Sequence, residues 1–239
     1  MRLDKAAAMA GLTRSEAKKA VAAGRVTVDG LPVRDPAAQV DPARVRVDGA
    51  AARAPGELYV MVNKPADVIT ATEDRRLPTV TGLLPPELQR RGPGPVGRLD
   101  RDVTGLVLLT TDGQLAHRLI SPKWKQEKRY RARCEGRLTE ADVEAFAAGI
   151  RLSDFTARPA RLAILRAGDD FSLADVFLTE GKFHQVKRMF AAVGHPLTGL
   201  SRLQIGPLAL DESLAPGEWR ELTEGEVKVL KTQCGMSEE

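Results

Sequence analysis

The stretch GRLDRDVTGLVLLTTDG, residues 97–113, places Arg98, Asp100, Arg101 and Asp102 directly ahead of an apolar run. Leu106 to Leu109 shows no alternation of apolar and polar residues, which reads as a strand covered on both faces. Asp100 therefore stands where the chain enters a core. Burial penalises a carboxylate, but a neighbouring cation favours its charged form, so a dry, ionised carboxylate is physically available there. Such a group is a candidate nucleophile or base. Taken alone, the stretch more readily places Asp100 and Asp102 as caps of a turn, paired with Arg98 and Arg101, and the rest of the chain has to decide between the readings.

Working outward, the chain has 239 residues of which 43% are hydrophobic, enough for one large domain or a small one plus a larger one. No apolar segment approaches a membrane span, and MRLDKAAAMAGLTRSEAKK is amphipathic and charged rather than a signal peptide, so the expected location is the cytoplasm, with no membrane contact. Cys134 and Cys234 lie far apart and form no C-x-x-C pattern, which argues against a zinc site or a disulfide framework. Charge is segregated. Residues 1–55 hold ten of the 36 Lys/Arg but only six of the 32 Asp/Glu, so the net charge of +4 comes from the first quarter of the chain. In the remainder, RLISPKWKQEKRYRAR (118–133) has seven basic residues against Glu127, and no acid occurs between Glu180 and Asp211. A segregated basic surface suits a polyanion, unless acids compensate it in space.

Along the chain, Leu3 to Met9 reads as a short helix and Thr13-Arg-Ser-Glu16 as a capping box opening a second that closes near Gly24. VTV-DG-LPV (26–33) is a hairpin signal, a further turn falls at Asp48-Gly49, and ARAPGE (52–57) reads as a linker. This divides the chain into a small unit, 1–52, and a larger one, 58–236. In the larger unit LYVMVNKP (58–65) is a strand stopped by Pro65, PPELQRRGPGP (85–95) a loop, 106–110 a strand, and 112–120 a helix. A basic strand at 126–135 contains Tyr130, and a helix opens at Thr139-Glu-Ala-Asp142. Strands follow near 160–166 and 171–178, and HQVKRMFAAVG (184–194) is a helix. Strands and helices without a regular βαβ rhythm predict an α+β fold with a mainly antiparallel or mixed sheet.

Three places in the larger unit combine reactive groups with basic charge: Asp100, Tyr130 within EKRYR, and Lys187-Arg188 after GKFHQV. A lone tyrosine on a strand is usually a core or interface residue, but among cations it offers a stacking face to a base while the cations hold phosphates. Taken together these segments carry a resemblance. The chain resembles the RsuA type of pseudouridine synthase, the family that isomerises uridine in ribosomal RNA, over almost its whole length. MRLDKAAAMAGLTRSEAKKAVAAGRVTVDG is similar to the alpha-L RNA-binding domain of a ribosomal small-subunit protein. GRLDRDVTGLVLLTTDG resembles the family's catalytic motif, EKRY its tyrosine motif, EGKFHQVKRMFAAVG its basic motif, and LSRLQIGPLAL and LAPGEWRELTEGE its C-terminal segments.

The resemblance implies that Asp100 is the catalytic aspartate, Tyr130 the residue packed on the target uracil, and Lys187 the basic partner of the aspartate. It also implies a hydrophobic contact to the base from Leu200 or a neighbour. Arg98, Arg101, Arg188 and Arg202 complete the expected substrate contacts, with Arg98 and Arg101 read equally as phosphate contacts or structural salt bridges. His117, His184 and His195 have no ligand spacing and are expected to pack or bind phosphate. Ser201 stands where close relatives of the family often carry histidine, and the 85–95 loop is longer than some.

The implied reaction breaks the bond from the ribose anomeric carbon to the ring nitrogen, turns the uracil, and rejoins the sugar to carbon five. It needs no redox step and no energy donor, so neither cofactor nor metal is expected. A carboxylate serves by adding to the anomeric carbon, by stabilising its positive character, or by removing a proton from the adjacent sugar carbon, and the residues do not choose among these. The expected partner is ribosomal RNA, from the small subunit or an assembly intermediate, bound by a monomer. Sister enzymes acting on large-subunit RNA share every motif quoted. Two rival readings stand beside this one: a noncatalytic ribosome-assembly factor, and a magnesium enzyme using Asp100 and Asp102 as ligands, against which counts the lack of a Gly-rich phosphate loop.

Overall fold

A computed structural model describes residues 1–52 and 56–236. The chain divides into two compact units, Met1–Glu57 and Leu58–Glu239. The expected linker at 52–57 lies in part outside the described residues.

The first unit consists of α1 (Leu3–Ala8), α2 (Arg14–Ala22) and a four-stranded sheet of β1 (Val26–Val28), β2 (Leu31–Pro32), β3 (Val45–Val47) and β4 (Ala50–Ala51), in the order β2-β1-β3-β4. Its elements form where local chemistry dictates. Thr13 Oγ1 accepts from the Glu16 N–H at 3.2 Å while the Glu16 carboxylate accepts from the Thr13 N–H at 2.8 Å, satisfying two N-terminal donors of α2. Asp29 and Gly30 both have positive φ, 51° and 83°, as a type I′ hairpin turn requires. The core is small: Leu3, Ala6, Ala17, Val21, Val26, Val45 and Val47 close it. Arg25 and Arg44 pair with Asp48 and Asp29, whereas Arg14, Lys18 and Lys19 of α2 are exposed and make no ion pair among the described residues.

The second unit runs β5 (Tyr59–Lys64), α3 (Pro86–Gln89), β6 (Gly94–Pro95), β7 (Thr104–Thr110), α4 (Gly113–Ile120), β8 (Lys128–Glu135), α5 (Glu140–Ala148), β9 (Arg161–Arg166), β10 (Phe171–Leu178), α6 (Gln185–Ala192), β11 (Leu197–Ile205), β12 (Leu208–Ala209), β13 (Trp219–Glu221) and α7 (Glu224–Gln233). Seven strands form the order β13-β5-β7-β11-β8-β10-β9, with β12 on β11 and β6 on β7. The α+β expectation holds, and the sheet is mixed because β11 runs parallel to β7. The 85–95 stretch is more than a loop: it holds α3, with Pro86 in its first turn where a missing N–H costs nothing, and the short β6.

Central strand β7 explains the uniform Leu-Val-Leu-Leu run. Leu106 and Leu108 enter one core with Leu115 and Leu119 of α4 and Leu230 of α7, while Val107 and Leu109 enter the other with Phe146 of α5 and Phe190 of α6. Helices cover both faces, and all four β7 residues are 0% exposed. Gly105 permits the parallel pairing. At φ +97°, a Cβ there would stand 2.3 Å from the Arg202 carbonyl oxygen, so β11 can approach only a glycine.

Candidate active site

Asp100 sits in the turn just ahead of β7, and the backbone of that turn is pinned from below. Lys64, the last residue of β5, is wholly buried and its Nζ donates to the carbonyl oxygens of Pro65, Arg101 and Val103 at 2.9, 3.1 and 2.7 Å. Burial lowers its pKa to about 8, against the opposing charges of Asp102, Asp100 and Asp67. Thr70 closes the other side: its hydroxyl donates to the Leu99 carbonyl at 2.8 Å and accepts from the Leu99 N–H at 3.1 Å. The Val103 N–H donates to the Asp100 carbonyl at 3.2 Å, completing the turn.

The carboxylate itself meets an ammonium from α6 and an imidazole from the loop before it. Lys187 Nζ stands 3.0 Å from Asp100 and 2.7 Å from Asp102, and His184 Nε2 stands 3.4 Å from Asp100. Burial alone would lower the Lys187 pKa, but hydrogen bonds to Asp102 and Asp100 outweigh it and hold the ammonium above the ordinary lysine range. The bond from Lys187 in turn holds Asp102 below the usual carboxylate range. Asp100 is partly covered, 31% exposed, whereas Asp102 is 72% exposed. The aspartates thus pair with Lys187 and His184, not with the adjacent arginines.

His184 occupies the left-handed backbone region, φ +50°, at the N-cap of α6. Its ring stacks on Phe183 at 3.7 Å between centroids and 19° between planes. The loop is fixed by Gln185, whose side chain donates to Glu180 at 2.6 Å and accepts from the Lys182 N–H at 2.9 Å.

Between these elements lies a cleft of about 630 Å³, walled by the 97–101 segment and the 181–184 loop and floored by Lys128, Tyr130, Arg202 and Ile205. That size suits a nucleotide. A smaller recess of about 80 Å³ runs beside it, touching Asp100, Tyr130, Lys187 and Leu200. Tyr130 is 8% exposed and opens onto both.

The sequence-predicted residues therefore separate. Asp100, Tyr130, Lys187, Leu200, Arg98 and Arg202 line one or other of the two recesses. Arg98 is exposed and makes no ion pair among the described residues. Arg101 lines the larger cleft, but its guanidinium reaches outward to Asp67 at 2.8 Å, the salt-bridge alternative. Arg188 lies in neither recess: it turns to Asp154 and Ser153 and over the Phe155 ring, because Lys187 and Arg188, one step apart on a helix, point about 100° away from each other. Arg202 is 2% exposed, its Nε donates to the Leu106 carbonyl at 2.9 Å, and Nη2 has no hydrogen-bond partner. It is a buried cation at the cleft floor. Lys64 and Thr70 carry no expectation from the sequence, and His184, expected to pack or bind phosphate, stands instead beside Asp100. The Asn-Lys-Pro at 63–65 was the available signal for Lys64, a lysine closing an otherwise apolar strand.

Comparison with known proteins shows the family. Residues 58–192 match the model of the RNA pseudouridylate synthase family, and residues 1–45 match the S4 domain. The chain is 43% identical over 234 residues to YtzG of Bacillus subtilis, an uncharacterized RNA pseudouridine synthase, covering 96% of this chain and 98% of the relative. It is 41% identical over 233 residues to the ribosomal small subunit pseudouridine synthase A of Escherichia coli strain K12, with 95% and 98% covered. A solved crystal structure of a pseudouridylate synthase superposes with a TM-score of 0.68 at 38% identity, over 96% of this chain and 99% of that one. The chain belongs to the RNA pseudouridylate synthase family, with an S4 domain ahead of the synthase domain.

Proposed function

We propose that the protein isomerises one uridine of small-subunit ribosomal RNA to pseudouridine, with Asp100 acting at the ribose anomeric carbon. The observation that carries this reading is the pairing of Asp100 with Lys187 and His184 in a nucleotide-sized cleft floored by Tyr130. Uridine within RNA must leave its stack to reach such a cleft. Tyr130 receives the extruded uracil, and Leu200 bounds it from the neighbouring strand. Asp100, fixed by the Thr70 and Lys64 contacts to its turn, meets the positive character that develops at the sugar carbon when the glycosidic bond breaks. Lys187 orients that carboxylate and shares its charge with Asp102.

Arg98, exposed beside the cleft, contacts the RNA backbone. The first unit anchors the RNA through the exposed cations of α2. Deleting residues 1–52 is expected to weaken RNA binding and to flatten its salt dependence by roughly 0.7–0.9 in log–log slope for each phosphate that is no longer neutralised. Binding measured across a salt series checks this, and an unchanged slope would remove the anchor role.

The small-subunit assignment follows the names of the relatives in Escherichia coli and Vibrio parahaemolyticus. Pseudouridine mapping of both ribosomal RNAs from cells with and without the gene tests it. One missing site in small-subunit RNA is expected; a missing site in large-subunit RNA instead would redirect the assignment, and no missing site would overturn the function.

A further inference from the structure

The floor of the cleft carries cations that the chemistry described so far does not use. Lys128 and Tyr130 are two residues apart on β8 and so share a face, and Arg202 of β11 is the register partner of Tyr130. The tyrosine ring is thus flanked along and across the sheet by an ammonium and a guanidinium. Neither cation has a carboxylate partner among the described residues: Lys128 Nζ donates to the Gln126 carbonyl at 3.1 Å, and Arg202 has only the Leu106 carbonyl on Nε, with Nη2 buried and unpartnered. Two neighbouring cations without a counter-ion, one of them 2% exposed, are costly to keep. The cost shows in Lys128, whose pKa falls to about 8 through burial and then through the charge of Arg202. An arrangement of this kind in a cleft calls for an anion that arrives with the substrate.

We infer that Lys128 and Arg202 bind the oxygens of the uracil anion released when the glycosidic bond breaks, and so stabilise the leaving group. This rests on the isomerase reading above. When the bond between C1′ and N1 breaks, its electron pair stays with the base, which becomes a monoanion with charge on O2 and O4, while the Asp100 carboxylate compensates the sugar carbon. When C5 bonds to C1′ the base gives that charge back, C5 loses its proton and N1 gains one, so the step balances without oxidant or reductant. A base stacked on Tyr130 presents its edge in the plane that the flanking cations border. Preorganised donors aimed at developing charge in a dry site act on the transition state more than on the ground state.

The test compares leaving groups. Single-turnover loss of the N-linked nucleotide is followed with RNA carrying uridine or the more acidic 5-fluorouridine at the target, for the full-length protein and for Lys128→Gln, Lys128→Arg and Arg202→Lys. Lys128→Gln is expected to slow the uridine reaction about 10²-fold, in line with removal of one charge-stabilising donor. The 5-fluorouridine reaction, whose base needs less help to leave, should slow about tenfold or less, and Lys128→Arg should restore part of the rate. Equal slowing on both substrates would overturn the inference. So would a fall in RNA affinity and salt slope with the rate after binding unchanged, which would assign the pair to a phosphate. If Arg202→Lys does not fold, the Lys128 variants carry the test alone. Wild-type inactivity on both RNAs would instead count against the isomerase reading, and so is distinguishable.

Discussion

The two faces of β8 treat their cations in opposite ways. On one, Arg129 and Arg131 converge on the buried carboxylate of Asp175 in β10, and Arg129 and Arg133 lie over Phe177 and Phe171. On the other, Lys128 and Tyr130 open onto the cleft with Arg202 across the sheet and no carboxylate partner for either cation among the described residues. In sequence the stretch 118–133 is one block of seven basic residues. Folding divides the four that lie on β8 by the period of two of a strand: Arg129, Arg131 and Arg133 meet a carboxylate or an aromatic ring on one face, and Lys128 stands alone on the cleft face. Basic composition therefore marks the neighbourhood of the site, and the face of the strand decides which of these β8 cations reach it.

Truncation of the tyrosine between the two cleft cations should have the largest effect. Tyr130→Ala is expected to cost about 3 kcal/mol of stability, as removal of a buried aromatic does, and about 1–3 kcal/mol of stacking on the substrate base. Denaturant unfolding and RNA affinity check the two parts separately. Tyr130→Phe should retain both and slow only product formation, if the hydroxyl moves the proton lost from C5; rates equal to the parent would reduce Tyr130 to packing.

The opposite face should respond in stability alone. Asp175→Asn removes the acceptor shared by Arg129 and Arg131, and a loss of about 2 kcal/mol is expected, less than two charged hydrogen bonds because the arginines are 34% and 42% exposed and can rehydrate. Turnover per folded molecule should stay as in the parent. A selective loss of rate would mean that the compensated face takes part in the reaction.

The smallest effect is a pH trend. Lys128 binds its proton less tightly in the folded chain, with a pKa of about 8, than in the unfolded chain near 10.5. Between those values the unfolded state holds more protons, so stability from this group rises with pH; the penalty is fully present below pH 8 and relieved as pH climbs through it. Wild type should therefore gain on Lys128→Met between pH 7 and 10, by less than about 1.4 kcal/mol per pH unit. Arg129→Met should show no such trend, because a guanidinium does not titrate there. Parallel trends in the two variants would break the contrast between the faces.

Much of the architecture was legible because it rests on local chemistry. The Thr13/Glu16 and Thr139/Asp142 boxes and the Asp29-Gly30 turn satisfy backbone groups within four residues, and the unbroken Leu106–Leu109 run reports burial on both faces directly. The site was legible where one residue type is out of place, as with Asp100 at the mouth of that strand. Long-range placement was not. Arg101 pairs with Asp67, 34 positions away, and Arg188 with Asp154, and no local pattern distinguishes them from cleft arginines. His184, which meets Asp100, takes a positive φ at the start of α6, a conformation more often filled by glycine or asparagine, and no local pattern announces it. Lys64 lies hidden because its acceptors at Arg101 and Val103 belong to a turn roughly forty residues on.

Asp100 is the centre of the account, and replacing it by asparagine tests that centre with the shape of the side chain preserved. Isomerisation of the target uridine is measured under single-turnover conditions with homogeneous Asp100→Asn protein, alongside RNA affinity. The amide can neither add to the sugar carbon nor accept a proton, so the rate should fall by more than about 10³-fold while affinity changes only severalfold. Turnover within tenfold of wild type would contradict the assignment of Asp100, and with it the reading of the cleft as the place where the glycosidic bond is broken.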